Sequence, residues 1–205
     1  MTFIIWLQFA IVCLLGAMSP GPSLALIIHN SVNYNRISGI IASIAHGLGI
    51  FVYASITVIF LEFIINYNEI IFFSIQIFGS FFMILLGLMF IIKKNHSNKI
   101  DSSKINHNSF VQGFVIAIVN PKILVWFVAI YSQFININAS LLDTLILIST
   151  PSIVDAVWYS FVAILVTSFG LKDFFNKKKN FIQKIVGVLL IIIAISLIYS
   201  LLTFN

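Results

Sequence analysis

Long apolar runs separated by short polar stretches dominate the chain. Each run approaches the roughly 20 residues that an α-helix needs to cross a bilayer. The pattern predicts an all-α integral membrane protein with six transmembrane helices, at about residues 3–28, 39–63, 70–92, 110–135, 141–168 and 181–203. The polar stretches between them are His29 to Ser38, Asn66 to Glu69, Lys93 to Asn108, Asn136 to Asn138 and Lys172 to Asn180.

Composition supports the same class. Of the 205 residues, 60% are hydrophobic and 8% are charged, whereas soluble domains contain about 25% charged residues. A soluble domain of this size could not bury so much apolar surface in one core. The single cysteine, Cys13, excludes an internal disulfide, a redox CxxC pair and a thiolate metal cage. We therefore expect one transmembrane domain over residues 1–205, with no cofactor and no bound metal.

The distribution of basic residues predicts an orientation. Arg36 lies between spans one and two, and most lysines lie between spans three and four and between spans five and six. The other two loops contain no Lys or Arg. Cytoplasmic loops carry the excess of Lys and Arg, so both termini are expected outside. The same topology explains the net charge of +5 without a nucleic-acid partner.

Three spans followed by three spans, entering from opposite sides, is the layout of an inverted repeat. The halves are expected at about 1–95 and 108–205, joined by a cytoplasmic loop at 93–109. Each half begins with a long span that contains a proline motif, Ser19-Pro20-Gly21-Pro22 or Asn120-Pro121-Lys122. The first and fourth helices are therefore expected to be broken at these motifs.

A break inside a span has chemical consequences. Proline lacks an N–H and clashes with the preceding turn, and the freed backbone groups must face protein or a watery cavity. A half-helix that begins near Pro22 would aim its N–H groups, beginning with Ser23, at that cavity, which suits a carboxylate. The alternative is a packing kink without a ligand. The candidate substrate-binding residues are Pro20, Gly21, Pro22, Ser23, Asn120, Pro121, Lys122 and Asp155.

Two ionisable residues of opposite sign, Lys122 and Asp155, fall well inside spans. A charge at the bilayer centre costs at least about 2.5–3.5 kcal/mol, so we expect the two side chains to approach each other. They form either a salt bridge that joins two helices or a site in which Asp155 binds an ammonium or a proton and Lys122 binds a carboxylate. His46, in span two, is a second candidate for proton coupling; the alternative is a hydrogen-bonded packing residue.

Small residues recur every four positions at Gly39, Ser43 and Gly47, and again at Gly113 and Ala117. Such stripes allow helices to approach closely. They are expected mainly to pack helices together, and they would also permit a homodimer.

These motifs resemble those of the LysE/RhtB family of amino acid exporters. The resemblance rests on the two proline motifs, on Gly39 and Gly47-Leu48-Gly49 in span two, and on Asp155 with Trp158-Tyr159 in span five. It covers essentially the whole chain. His46 departs from the small or apolar residue expected there. The resemblance implies a transporter of the bacterial cytoplasmic membrane that moves amino acids out of the cell, driven by an ion gradient.

We therefore expect a secondary exporter of amino acids or close derivatives, with proton antiport as the coupling, and not an enzyme. The proposed site offers both signs of charge that a zwitterion requires. Two alternatives stay open: a metal-cation exporter of related architecture, which would need several ligands, and a non-transporting membrane scaffold subunit.

Overall fold

The computed structural model of the protein describes residues 1–92, 108–135, 139–169 and 171–203. Within these ranges the chain forms helices and no strands, which confirms the all-α prediction. The predicted polar stretches at 93–107 and 136–138 lie outside the described residues. The helices are α1 Phe3–Met18, α2 Pro22–Asn33, α3 Arg36–Tyr67, α4 Glu69–Ile92, α5 Ser109–Val119, α6 Pro121–Phe134, α7 Leu141–Phe169 and α8 Lys172–Thr203.

Four of these helices, namely α3, α4, α7 and α8, are long and apolar enough to cross a membrane. The number rises to five if α1 and α2, which are bent by 63° relative to each other, count as one span. Large apolar side chains cover the exterior, among them Phe63, Ile70 and Phe78, which are 68%, 77% and 75% exposed. A soluble monomer rarely exposes so large a contiguous apolar surface, so the natural surroundings of this exterior are lipid.

Two predicted polar breaks are wrong in extent. The stretch from His29 to Ser38 is helical except at Tyr34 and Asn35, because α2 continues to Asn33 and the Asn35 side chain caps α3 by accepting from Ser38 N–H at 2.8 Å. The stretch from Lys172 to Asn180 is the first part of α8. Lysine favours helices and can direct its ammonium to water, so the charges there end the apolar segment without ending the helix.

Hydrogen bonds at the two ends of the bundle define its faces. At one end Thr144 Oγ1 donates to Glu62 Oε1 at 2.8 Å, joining the start of α7 to the end of α3. At the other end Arg36 Nη2 donates to Ser168 Oγ at 2.8 Å. The chain begins at the first end, which is called the N-terminal face below, and the end marked by Arg36 is called the opposite face.

The bundle is centred on α3, which packs against α7 and α5, while α4 packs against α8 and α6. Glycines allow the closest approaches. A Cβ at Gly47 would lie 2.8 Å from Ala156 Cβ, and one at Gly113 would lie 2.1 Å from the Ala42 carbonyl oxygen. Gly39 faces Ala163 in the same way. The small-residue stripes therefore pack helices within one chain.

Two short interruptions lie between helices near the middle of the bundle. The first separates α1, which ends at Met18, from α2, which begins at Pro22. The second is Asn120 alone, between the end of α5 and the start of α6 at Pro121. Residues of both interruptions line one cavity together with His46 of α3 and Asp155 of α7, so both interruptions lie beside these two helices.

Candidate functional site

A cavity of about 60 Å³ lies where the two interruptions meet. Its polar wall comes from the loop after α1, the first turn of α2, the residue between α5 and α6, and the middle of α3 and α7. Its apolar wall comes from α1 and α6. The residues with polar side chains that line it are Ser19, Ser23, His46, Asn120, Tyr131, Asp155 and Tyr159, and Gly21 lines it with its backbone.

A continuous chain of hydrogen bonds connects four of these side chains. His46 Nδ1 lies 2.5 Å from Asp155 Oδ2, and His46 Nε2 lies 2.8 Å from Ser23 Oγ. Asn120 Nδ2 donates to the same Ser23 oxygen at 3.2 Å. His46 and Ser23 are buried, at 1% and 4% exposure. This chain of hydrogen bonds therefore connects α7, α3, α2 and the junction between α5 and α6.

The direction of hydrogen bonding within the chain depends on the charge of His46. With a neutral ring whose Nδ1–H donates to Asp155, Nε2 accepts the Ser23 hydroxyl hydrogen, while Ser23 Oγ accepts from Asn120. With a protonated ring, Nε2–H donates to Ser23 instead, and the hydroxyl hydrogen must turn elsewhere. Ser23 is thus the group that must reorient whenever His46 changes charge.

Close helix packing brings this chain together. Gly47 follows His46 in α3 and leaves room for Ala156, which follows Asp155 in α7. Ser152 Oγ reinforces the contact by donating to the Gly47 carbonyl at 2.7 Å. The side chains of His46 and Asp155 can therefore meet, and the Tyr159 ring packs edge-on against His46 at a centroid distance of 5.1 Å.

The structure brings most of the predicted site residues to the cavity. Gly21, Ser23, Asn120 and Asp155 all line it, together with His46, the second predicted coupling residue. Pro20 belongs to the interruption that shapes the wall, and Pro22 is the first residue of α2. Asp155 pairs with His46, a contact that the sequence did not predict.

Lys122 and Pro121 stand at the start of α6. Their side chains lie outside the described residues. The contact between Lys122 and Asp155 therefore stays a prediction.

Sequence reasoning missed the apolar wall and a proline within α7. Trp126 and Tyr131 of α6 line the cavity, as does Pro151 of α7. The Trp126 ring lies against α1 because Gly16 has no side chain; a Cβ there would lie 2.8 Å from the ring. The available signal was Pro151 itself, the one proline within an otherwise continuous apolar span, one helical turn before Asp155.

The cavity holds one carboxylate beside one imidazole. Among the residues that the structure describes, no three His, Cys, Asp or Glu side chains come together as a metal site would require. The described part of the chain therefore contains no cluster of ligands that would favour the metal-cation alternative.

Comparison with known proteins identifies the family of the chain. The sequence profile of LysE type translocators matches residues 14–201. The uncharacterized membrane protein YrhP of Bacillus subtilis (strain 168) is 26% identical over 185 residues, which cover 84% of this chain and 88% of that protein. The threonine efflux protein of Escherichia coli (strain K12) is 23% identical over 208 residues, covering 96% and 98%. No solved structure matches the chain. Because the profile spans nearly the whole chain, this multi-pass membrane protein belongs to the LysE type translocator family, whose members are transporters and not enzymes.

Proposed function

We propose that this protein is a secondary exporter of amino acids or close derivatives, driven by proton antiport through the pair formed by Asp155 and His46. The observation that carries the proposal is the buried pair at the wall of the central cavity, connected through Ser23 to both helix interruptions. The E. coli relative named for threonine efflux supports the amino acid class.

The cavity suits the part that all amino acids share. Asp155 supplies a carboxylate for the ammonium group. Gly21, which precedes α2, has no side chain to cap the first N–H groups of that helix, so these groups and the positive end of the helix dipole are available to a carboxylate. Lys122, in the first turn of α6, is the second candidate for the carboxylate. About 60 Å³ holds roughly four to six water-sized groups, close to the five heavy atoms of the zwitterionic core.

Competition at Asp155 would couple the two fluxes. The carboxylate can hold either a proton, shared with His46, or the substrate ammonium, and one displaces the other. A carrier that reorients with either occupant, but not with a bare buried carboxylate, exchanges the two across the membrane. The unpaired charge is costly in the membrane interior, which disfavours reorientation of the empty carrier.

The element order supports two repeats of three spans. In each half, a pair of short helices divided near a proline precedes two long helices: α1 and α2 before α3 and α4, then α5 and α6 before α7 and α8. Equivalent long helices pack against each other, α3 on α7 and α4 on α8. We propose six spans, in which α1 with α2 forms span one and α5 with α6 forms span four. The N-terminal face lies on the outer side of the cytoplasmic membrane.

Purified protein in liposomes loaded with labelled threonine, then with each other amino acid in turn, tests the proposal. An imposed proton gradient should drive release of at least one of them, and the Asp155→Asn variant should abolish that release while it remains folded. The matched control is Asp143→Asn, the same change in the first turn of the same helix, which should transport normally.

Two outcomes would contradict the proposal. Release of no amino acid under any proton gradient would refute amino acid export. Full proton-driven release by folded Asp155→Asn would refute the assigned coupling site and leave the transport class standing.

A further inference from the structure

Between the cavity and the N-terminal face lies a cluster of four buried aromatic side chains: Phe9 from α1 and Phe127, Tyr131 and Phe134 from α6. The Phe9 ring packs edge-on against Tyr131 at 5.4 Å and lies 5.1 Å from Phe134. Phe127 stacks on Tyr131 at 5.2 Å. This cluster, called the aromatic gate below, lies on the N-terminal side of the cavity, because Phe9 precedes the lining residue Cys13 in α1 and Phe134 follows the lining residue Tyr131 in α6.

A proline-freed carbonyl holds the aromatic gate to α7. Pro151 has no N–H, so the Leu147 carbonyl one turn earlier lacks its helical partner. Tyr131 Oη donates to that carbonyl at 2.8 Å. An unsatisfied carbonyl inside a membrane protein is costly, so this hydrogen bond satisfies a group that α7 itself cannot satisfy.

The positions of these residues connect the gate to the site. Tyr131 and Pro151 both line the cavity, and Pro151 lies one turn from Asp155 in the same helix. Bending of α7 at Pro151 would move the Leu147 carbonyl relative to Asp155 and break the bond from Tyr131. A change at Asp155 can thus reach the gate through a single helical turn.

We infer that the aromatic gate is the barrier on the N-terminal side of the transport path, and that the hydrogen bond from Tyr131 to Leu147 latches it with Pro151 as the hinge. This inference rests on the proposed transport function. Tyr131 acts as a gating residue: it controls access to the site without itself binding the proton.

The only cysteine of the sequence provides the test. Cys13 lines the cavity and lies one helical turn beyond Phe9 in α1, on the cavity side of the gate. A charged, membrane-impermeant methanethiosulfonate reagent reacts with a hydrated thiolate, so it modifies Cys13 only when water reaches the cavity from the side of addition. The reagent is applied separately to each face of vesicles, and a tag at the N terminus identifies the faces.

The variant Tyr131→Phe removes only the latching hydroxyl. Labelling from the N-terminal face should rise about two- to tenfold over wild type, the range expected for the loss of one hydrogen bond, with no rise from the opposite face. The matched control is Tyr53→Phe, because Tyr53 Oη also donates to a backbone carbonyl, that of Ile118 near the end of α5. It should leave labelling unchanged.

A second variant keeps the inference testable if Tyr131→Phe does not fold. Phe9→Leu removes the ring that packs against Tyr131 and Phe134 without changing α7, and it should also raise labelling from the N-terminal face. Unchanged labelling in a folded Tyr131→Phe or Phe9→Leu protein, or an equal rise from both faces, would overturn the gate. The measurement needs no substrate and no proton gradient, so failure of the gate and failure of the proposed export are told apart.

Discussion

Two substitutions test whether close packing of α3 against α5 sets the geometry of the site. Gly49→Ala adds a methyl group to α3, and Ala117→Gly removes one from α5. A Cβ added at Gly49 would lie 2.6 Å from Ala117 Cβ and 3.2 Å from the Phe114 carbonyl oxygen. Ordinary contact begins near 3.4 Å, so Gly49→Ala requires the two helices to separate locally by about 0.8 Å. The affected turns are those next to His46 in α3 and Asn120 after α5.

That displacement is large for the hydrogen-bond chain. Ser23 is held to α3 by its contact with His46, so moving α5 away from α3 also moves Asn120 away from Ser23. The bond from Asn120 Nδ2 to Ser23 Oγ is already 3.2 Å long, and about 0.8 Å more would break it. The strain should cost about 1–3 kcal/mol, offset by about 1 kcal/mol because alanine favours a helix more than glycine does. We therefore expect Gly49→Ala to unfold at a slightly lower temperature and to lose most of its transport.

The double variant Gly49→Ala, Ala117→Gly carries the same atoms with the methyl group on the other helix. It should recover most of the transport rate and of the thermal stability, because the closest contact is removed and only the Phe114 carbonyl has to yield. Thermal unfolding in detergent and release of the exported amino acid from liposomes are measured on all three proteins. Wild-type behaviour of Gly49→Ala, or no recovery in the double variant, would refute the reasoning.

Three further outcomes follow from the described contacts. Ser23→Ala removes the hydroxyl that His46 Nε2 contacts, at about 1–3 kcal/mol for such a buried group, and release of the exported amino acid should fall on the order of tenfold. An unchanged rate would show that transport does not use this chain of hydrogen bonds. Gly87→Ala places a Cβ 2.6 Å from the Gly187 carbonyl oxygen and should lower the unfolding temperature through about 1–3 kcal/mol of strain. The control is Leu88→Ala at the neighbouring, lipid-facing position, which should leave the unfolding temperature unchanged. Trp6→Phe removes the hydrogen bond to Thr150 Oγ1 at 3.1 Å and should cost about 1 kcal/mol, measured by the same unfolding experiment.

Local chemistry made part of the site predictable. Proline and glycine at 20–22 act on their own segment, so the sequence alone indicates that a regular helix does not continue there. The same reasoning indicated Asn120, which precedes a proline within a span. It also indicated Asp155, because a charge buried in a membrane has an unavoidable electrostatic cost.

The pairing of Asp155 depends on how α3 and α7 are rotated against each other. Opposite charge favoured Lys122 as its partner, but the described contact is with His46, which is near because Gly47 and Ala156 let the two helices touch. The stripe of Gly39, Ser43 and Gly47 indicates which face of α3 packs closely, but it does not indicate that α7 is the helix that packs there. Pro151 was overlooked for a related reason: the apolar run continues through it, and its consequence appears only when Tyr131 of another helix satisfies the Leu147 carbonyl.

The crossing of α4 and α8 has a consequence for biogenesis. Their backbones meet at Gly87 and Gly187, and the main contacts of α3, with α7 and α5, likewise join the four helices before residue 93 to the four after 107. When only the first four helices have been synthesised, few of the contacts that stabilise them can form. We therefore expect these helices to be loosely associated in the bilayer, and accessible to membrane proteases, until α8 has been inserted. Separately expressed halves should each be degraded quickly and should protect each other when they are made together.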